Sequence, residues 1–313
     1  MEKEFQISVV SPVYQAEKIV QELIQRLEKE LLKITKLYEI ILIEDCSKDN
    51  SWKEIITIAK NNDKIKAVKL SRNFGQHAAI KAGLEMAKGD CCIVIDCDLQ
   101  EDPKYIHKLI EEWKKGNEIV LTIKKKRSHS FFKNISAIIF NFILNILIEN
   151  NLSKSSNQVG SFSLISKKVI EAFKEFKDYQ FHYLMVLRWL GFKKSYIYIT
   201  HNERFEGRSS YNFKKLVNHA MVGIIYQSDK LLRFGIYIGF IFSLISAISI
   251  VFIIVNYFMS GYQSGWASLF VLISFSTGII LMGIGILGLY IGKIFEQVKN
   301  RPQYIISEKI NFN

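Results

Sequence analysis

The chain has 313 residues, 49% of them apolar and 13% aromatic, with a formal net charge of +12. That apolar content excludes a disordered polymer and leaves room for one large domain or two ordinary ones. The basic clusters flank apolar segments, so the expected partner of the positive charge is a membrane surface and no nucleic acid.

Residues 5–10 form a first predicted strand, closed by Ser11-Pro12-Val13-Tyr14, and residues 17–34 carry apolar side chains at helical spacing. A second strand is expected over 39–43, then the loop Glu44-Asp45-Cys46-Ser47-Lys48-Asp49-Asn50-Ser51 and a helix over 52–60. The third strand, 65–70, leaves through Ser71-Arg72-Asn73-Phe74-Gly75-Gln76-His77 into a helix over 78–87, whose Gly83 implies close packing. Residues 91–95 read as a strand buried on both faces that ends in Asp96-Cys97-Asp98-Leu99-Gln100, after which Asp102 is placed to cap a helix beginning at Pro103.

This alternation through residue 115 calls for an α/β fold with a doubly wound, mostly parallel sheet and right-handed crossovers. Ligands of such sheets bind beyond the carboxyl ends of the strands, where Tyr14, Glu17, Asp45, Arg72, Asp96 and Asp98 fall. The missing Gly-x-Gly-x-x-Gly excludes a dinucleotide fingerprint, and no P-loop is present. Carboxylates two apart on an extended segment point the same way, which suits a hard divalent cation held against a diphosphate. Cys46, Cys91, Cys92 and Cys97 lie in or beside strands without Cys-x-x-Cys spacing, and reduced thiols are expected rather than disulfides or zinc ligands. The first residues lack an apolar h-region, so no secretory signal is expected.

A further strand over 118–123 runs into Lys124-Lys125-Lys126-Arg127. The apolar stretch near 131–150 is broken by polar residues about every fourth position, a pattern for a helix lying in the membrane interface. A loop over 157–166 leading to a strand, a helix over 181–190, a strand over 194–200 and a second amphipathic helix over 212–233 follow. Residues 234–259 and 266–292 contain no charge, and each is long enough to cross the hydrocarbon as a transmembrane helix. Lys230, Arg233, Lys293, Lys299 and Arg301 flank the outer ends of this hairpin, which assigns residues 1–233 and the tail from 293, with both termini, to the cytoplasm. The expected division is therefore a cytosolic domain over 1–211, an interfacial helix over 212–233, two membrane helices, and a cytosolic tail over 293–313. A short strand in that tail, 303–307, is expected to pair with a neighbouring subunit in a homo-oligomer.

The five motifs Ser11-Pro12-Val13-Tyr14, Glu44-Asp45-Cys46-Ser47, Ser71-Arg72-Asn73-Phe74-Gly75, Asp96-Cys97-Asp98-Leu99-Gln100 and Arg204-x-x-Gly207 precede two apolar spans. Taken in that order, they resemble the polyprenyl-phosphate glycosyltransferases of GT-A fold and family 2. Dolichyl-phosphate mannose synthases and undecaprenyl-phosphate glucosyltransferases are of this type. The resemblance implies that Pro12, Tyr14, Glu17, Asp45 and Arg72 bind the nucleotide sugar, with Asp96 and Gln100 beside them. It implies that Asp96, Asp98 and Gln100 hold Mg²⁺ or Mn²⁺, and that Asp96, Asp98 and Arg204 are catalytic. Lys124, Arg204 and Arg208 are then expected at the acceptor phosphate. The implied reaction is inverting transfer of a sugar, UDP-glucose being the favoured donor, to undecaprenyl phosphate at the cytosolic face of a bacterial inner membrane. The lipid-linked product would feed a surface glycan.

Four positions depart from the commonest pattern. Glu44 replaces an Asp, Cys46 a Gly, Ser161 an Asp after Gly160, and Ser210 a Lys. A membrane scaffold with weakened catalysis is the alternative that Ser161 and Ser210 raise, against the retained acids. A processive polysaccharide synthase is a second alternative, disfavoured because Met185-Val186-Leu187-Arg188-Trp189 lacks the glutamine of Gln-x-x-Arg-Trp.

Overall fold

The computed structural model describes residues 4–124, 159–179, 181–200 and 265–312, with part of 235–259. It divides into two compact units: Met1–Ser128, Ser153–Ser209 and Arg301–Asn313 form the first, His129–Leu152 and Ser210–Asn300 the second. The expected interfacial helices near 131–150 and over 212–233 lie outside the described residues, as do Arg204, Arg208 and Ser210.

The first unit is built on β1 (Ile7–Val13), β2 (Tyr38–Glu44), β3 (Ile65–Leu70), β4 (Cys91–Val94), β5 (Ile119–Lys124), β6 (Val159–Ser166), β7 (Lys194–Ile199) and β8 (Ile306–Ile310). These make one sheet in the order β7-β5-β6-β4-β1-β2-β3-β8. Four of the seven pairings are parallel, as expected of a mostly parallel sheet. The other three place β6 antiparallel between β4 and β5, and β8 antiparallel on β3.

Alternate residues of each strand feed opposite layers. Val9, Ile40, Leu42, Cys91 and Ile93 join one apolar cluster, whereas Val10, Ile41, Ile43, Cys92 and Val94 join the other. The first layer is closed by α1 (Val20–Leu31), α2 (Ser51–Lys60) and α4 (Ile106–Lys114), the second by α3 (Gln76–Met86), α5 (Lys167–Lys174) and α6 (Tyr183–Trp189). In α1 the buried residues are Val20, Leu23, Ile24, Leu27 and Leu31, the stripe that one face of a helix requires. The helix expected at Pro103 opens with a 3₁₀ turn, Pro103–Tyr105, whose Lys104 N–H is accepted by Asp102 at 3.0 Å.

Gly83 of α3 faces β1 and β2. A Cβ there would overlap Val10 Cγ1 and stand 3.3 Å from Ile43 Cγ1, so the helix reaches the sheet only because position 83 has no side chain.

The tail strand differs from expectation in bounds and partner. It runs Ile306–Ile310 and pairs within its own chain, Ala67 opposite Ile310 and Lys69 opposite Glu308. Asn311, at φ +61°, donates its amide to the carbonyls of Ala59 (2.6 Å) and Ile65 (2.8 Å), locking the tail onto the end of α2. The outer edge of β3 is thereby occupied by this chain and not offered to a neighbour.

In the second unit, α7 (Trp266–Val298) has 33 residues, of which Phe275–Val298 has a mean hydropathy of 2.0 and is long and apolar enough to cross a membrane. The helix continues six residues past the expected end at 292, through Lys293 and Glu296. Between 235 and 259 every described position is helical.

Candidate active site

β3, β2, β1 and β4 are adjacent and parallel, so the residues that follow them leave from one edge of the sheet. The chain runs outward from β1 to β3 and then returns to β4 on the other side of β1. This reversal opens a crevice between the exits of β1 and β4, where α/β sheets bind ligands. Tyr14, Asp45, Arg72 and Asp96 all emerge at that edge. Pro12 is tolerated within central β1 because the β1–β4 pairing ends at Val10, leaving that side of the strand without a ladder to donate to.

The exits of β1 and β2 are laced together. Gln15 N–H donates to Ser47 Oγ (2.9 Å), Ala16 N–H to Ser51 Oγ (2.8 Å), and Asn50 N–H to Glu17 Oε2 (2.8 Å). Glu17 thus braces the start of α2, while Tyr14 stands 43% exposed over the crevice. Glu44, fully buried, accepts the Ser47 N–H. Cys46 adopts φ +54°, the left-handed region in which glycine is at ease, at an estimated strain of ~1 kcal/mol.

Asp45 is 3% exposed and spends one oxygen on the Phe74 N–H (2.7 Å) and the other on the Gly75 N–H (2.8 Å). Burial raises its pKa against the pull of those two donors. The residue expected at the nucleotide sugar therefore also fixes the loop after β3. In that loop the Arg72 guanidinium lies 4.0 Å over the Phe74 ring, and Gly75 at φ +94° starts α3.

Asp96 follows β4 and is held from two sides. Oδ1 accepts the Gln76 amide and Oδ2 the Ser161 hydroxyl, each at 2.6 Å. Burial raises its pKa, the neighbouring Asp98 adds to the rise, and the two donors oppose it. Ser161 thus answers the acid pair with a hydroxyl donor where a second carboxylate would repel it. Two residues on, Asp98 Oδ1 accepts the Gln100 N–H at 3.1 Å, closing a turn in which buried Leu99 has φ +55°. A leucine in that region is strained, and such strain gathers at binding sites.

Glu101, next in sequence, is 2% exposed, and burial, with Asp96 close behind, pushes its pKa up to about 8. The Lys124 ammonium at the end of β5 lies 3.6 Å from its Oε1. Glu101 and Gln76 were absent from the expected site. A glutamate beside an acidic motif reads as surface charge, although its place directly after Gln100 is a signal of proximity.

Among the described residues no group of three or more His, Cys, Asp or Glu side chains is arranged to hold a metal ion. The donors that do gather, the carboxylates of Asp96 and Asp98, are hard oxygens. Neither oxygen of buried Glu101 nearby has a hydrogen-bond partner among the described residues, so this acidic corner also holds a polar group left unsatisfied. That donor set fits a hard divalent cation that takes its remaining ligands from a diphosphate.

The sequence profile of Glycosyl transferase family 2 matches residues 8–173. The SfII prophage-derived bactoprenol glucosyl transferase of Shigella flexneri is 35% identical over 314 residues, covering 96% of this chain and 97% of that one. A prophage bactoprenol glucosyl transferase homolog of Escherichia coli is 34% identical over 312 residues, covering 96% and 98%. An uncharacterized glycosyltransferase of Synechocystis sp. is 34% identical over 305 residues, covering 97% and 95%. Among solved structures, a glucosyl-3-phosphoglycerate synthase of Mycobacterium tuberculosis aligns over 71% of this chain and 78% of that one, at 13% identity and a TM-score of 0.49.

Proposed function

We propose, from the premise that the chain belongs to glycosyl transferase family 2, that it transfers glucose from UDP-glucose to a polyprenyl phosphate of the undecaprenyl class at the cytosolic face of a membrane. The observation that carries this reading is the end-to-end match to bactoprenol glucosyl transferases, together with acids at the crevice between β1 and β4. The domain from 1 to 211 is the catalytic part, and two helices over about 234–259 and 266–292 anchor it beside the lipid.

The chemistry follows from charge. A nucleoside diphosphate gains negative charge as it leaves, and a polyprenyl phosphate arrives already anionic, so the site has to neutralise and orient more than it has to move protons. Asp45 fixes the loop of Arg72 and Phe74, and this loop with Tyr14 and Pro12 receives the base and ribose. Gln76 and Ser161 hold the Asp96 carboxylate in one orientation beside the donor. Asp96, Asp98 and Gln100 would hold Mg²⁺ or Mn²⁺, which when bound supplies positive charge to the diphosphate. Lys124, with Arg204 and Arg208, takes the acceptor phosphate, whose oxygen attacks the anomeric carbon opposite the leaving group and inverts it.

The test uses purified full-length protein in detergent with undecaprenyl phosphate, a divalent cation and radiolabelled UDP-glucose. Label should move into the organic phase. Absence of lipid-linked product with UDP-glucose, UDP-N-acetylhexosamine and GDP-mannose alike would refute the reading.

A further inference from the structure

Immediately before β8, three consecutive residues each reach a different part of the first unit. The Gln303 side-chain amide donates to the Asp178 carbonyl, in the connection between α5 and α6. The Tyr304 hydroxyl donates to Glu85 Oε2, in the last turn of α3. The Ile305 carbonyl accepts the Ser71 N–H at 2.8 Å, which carries the β3–β8 ladder one step past the end of β3.

Ser71 opens the loop that closes at Gly75. That loop is fastened at both ends, to Ile305 at Ser71 and to the Asp45 carboxylate at Phe74 and Gly75, and Arg72 and Asn73 lie between the two fastenings. The helix that follows the loop is pinned again through Glu85. This carboxylate is itself fixed from behind: Oε1 stands 3.8 Å from the ammonium of Lys81, which is 5% exposed and donates to the Phe176 carbonyl. Burial, with the Glu85 carboxylate adding to it, raises the Tyr304 pKa, so the hydroxyl stays protonated and donates. The Tyr304 ring packs against the same apolar cluster as Phe74. A loop held in advance loses less freedom when it closes on a ligand, and the fraction of molecules already in the binding arrangement scales the apparent affinity.

We propose that Gln303-Tyr304-Ile305 braces the nucleotide-sugar subsite, with Tyr304 a positioning residue that keeps Ile305 against Ser71 and so holds Arg72 where the donor binds. This rests on the transferase reading above and extends the donor subsite to a segment that follows the long apolar helix in sequence. Tyr304 touches no reacting atom; its effect passes through the Arg72 loop.

Tyr304→Phe keeps the ring and removes the donor. Losing a hydrogen bond to a charged group shifts an equilibrium by roughly tenfold, so the KM for UDP-glucose should rise about five- to tenfold while kcat and the KM for undecaprenyl phosphate stay within about twofold. Glu85→Ala should reproduce the defect and add little to it in the double variant, whereas Glu85→Gln, which keeps an acceptor for the hydroxyl, should restore most of the donor affinity. Calorimetric titration of the full chain in detergent with UDP needs no turnover and should show the same loss for Tyr304→Phe. Amide hydrogen exchange should quicken over residues 71–75 and not over β1. A contact that only stabilised the fold would lower the melting temperature and the active fraction and leave the donor KM unchanged. That result, or a defect shared equally by donor and acceptor, overturns the proposal, as does a parent that binds no UDP. If the parent binds UDP and transfers no sugar to lipid, the transferase reading fails, and the ratio of UDP affinities between parent and Tyr304→Phe still decides the role of Tyr304.

Discussion

Gly83→Ala sets two local effects against each other. In a free helix alanine is favoured over glycine by about 1 kcal/mol. Here the added methyl overlaps Val10 Cγ1, stands 3.0 Å from Val10 Cγ2 and 3.3 Å from Ile43 Cγ1, and both residues are fully buried. Val10 cannot retreat, since β1 is paired on both sides, opposite Ile41 and Val94. Overpacking of this kind costs roughly 1–3 kcal/mol, and at a direct overlap we take the upper end, for a net loss of about 2 kcal/mol after the helix gain. Val10→Ala removes two methyl groups, at about 0.8 kcal/mol each before any cavity term, and clears the obstruction. With the obstruction gone the helix gain remains, so the double variant should be about 1 kcal/mol more stable than Val10→Ala alone, a coupling of about 3 kcal/mol between the sites. Thermal unfolding of the full chain in detergent, followed by near-UV circular dichroism, reads all four corners of the cycle. Because α3 begins at Gln76, which holds Asp96, Gly83→Ala should also lower turnover while the protein is still folded. A Gly83→Ala protein that melts higher than the parent, or strictly additive effects, would refute the packing argument.

Two other outcomes are expected. Asp45→Asn turns one acceptor oxygen into an NH₂ that must face a backbone N–H, a loss of about 1–3 kcal/mol that should raise the UDP-glucose KM roughly tenfold without changing the acceptor KM; an unchanged donor KM in steady-state assays would count against it. Glu39 gives a pH dependence of stability: burial alone would raise its pKa, but the Lys66 ammonium, the Ser8 hydroxyl and the Lys88 N–H together bring it below the usual 4.5. The unfolded chain then binds the proton first, so this contribution is complete above pH 4.5 and is lost as pH falls through the lower folded value. Denaturation midpoints of the parent should fall more steeply below pH 4.5 than those of Glu39→Gln, and parallel curves would sink the assignment.

The parallel half of the sheet could be read from the sequence because each of its strands is a short apolar run ending in a polar loop, and the connecting helices have an apolar stripe. Strand direction was not readable at β6. A strand buried between β4 and β5 shows the same continuous apolar run whichever way it points. The tail strand Ile306–Ile310 is apolar only at its two ends, and nothing within five residues names its partner β3 far earlier in the chain. At the site, Asp45, Asp96 and Asp98 were visible because acids at strand ends are few. Gln76, Ser161 and Glu101 matter through their distance to Asp96 or Lys124, which only folding sets. The left-handed backbone at Cys46 and Leu99 leaves no mark in residue type, since neither is a glycine.

The placement of β8 imposes an order on biosynthesis. The strand that covers β3 is translated after the long apolar helix, so β3 stands uncovered until that later segment has emerged. A nascent or proteolytically clipped chain ending near residue 300 would expose β3 as an open template for other polypeptides, with Lys66 and Lys69 as its remaining deterrents to aggregation.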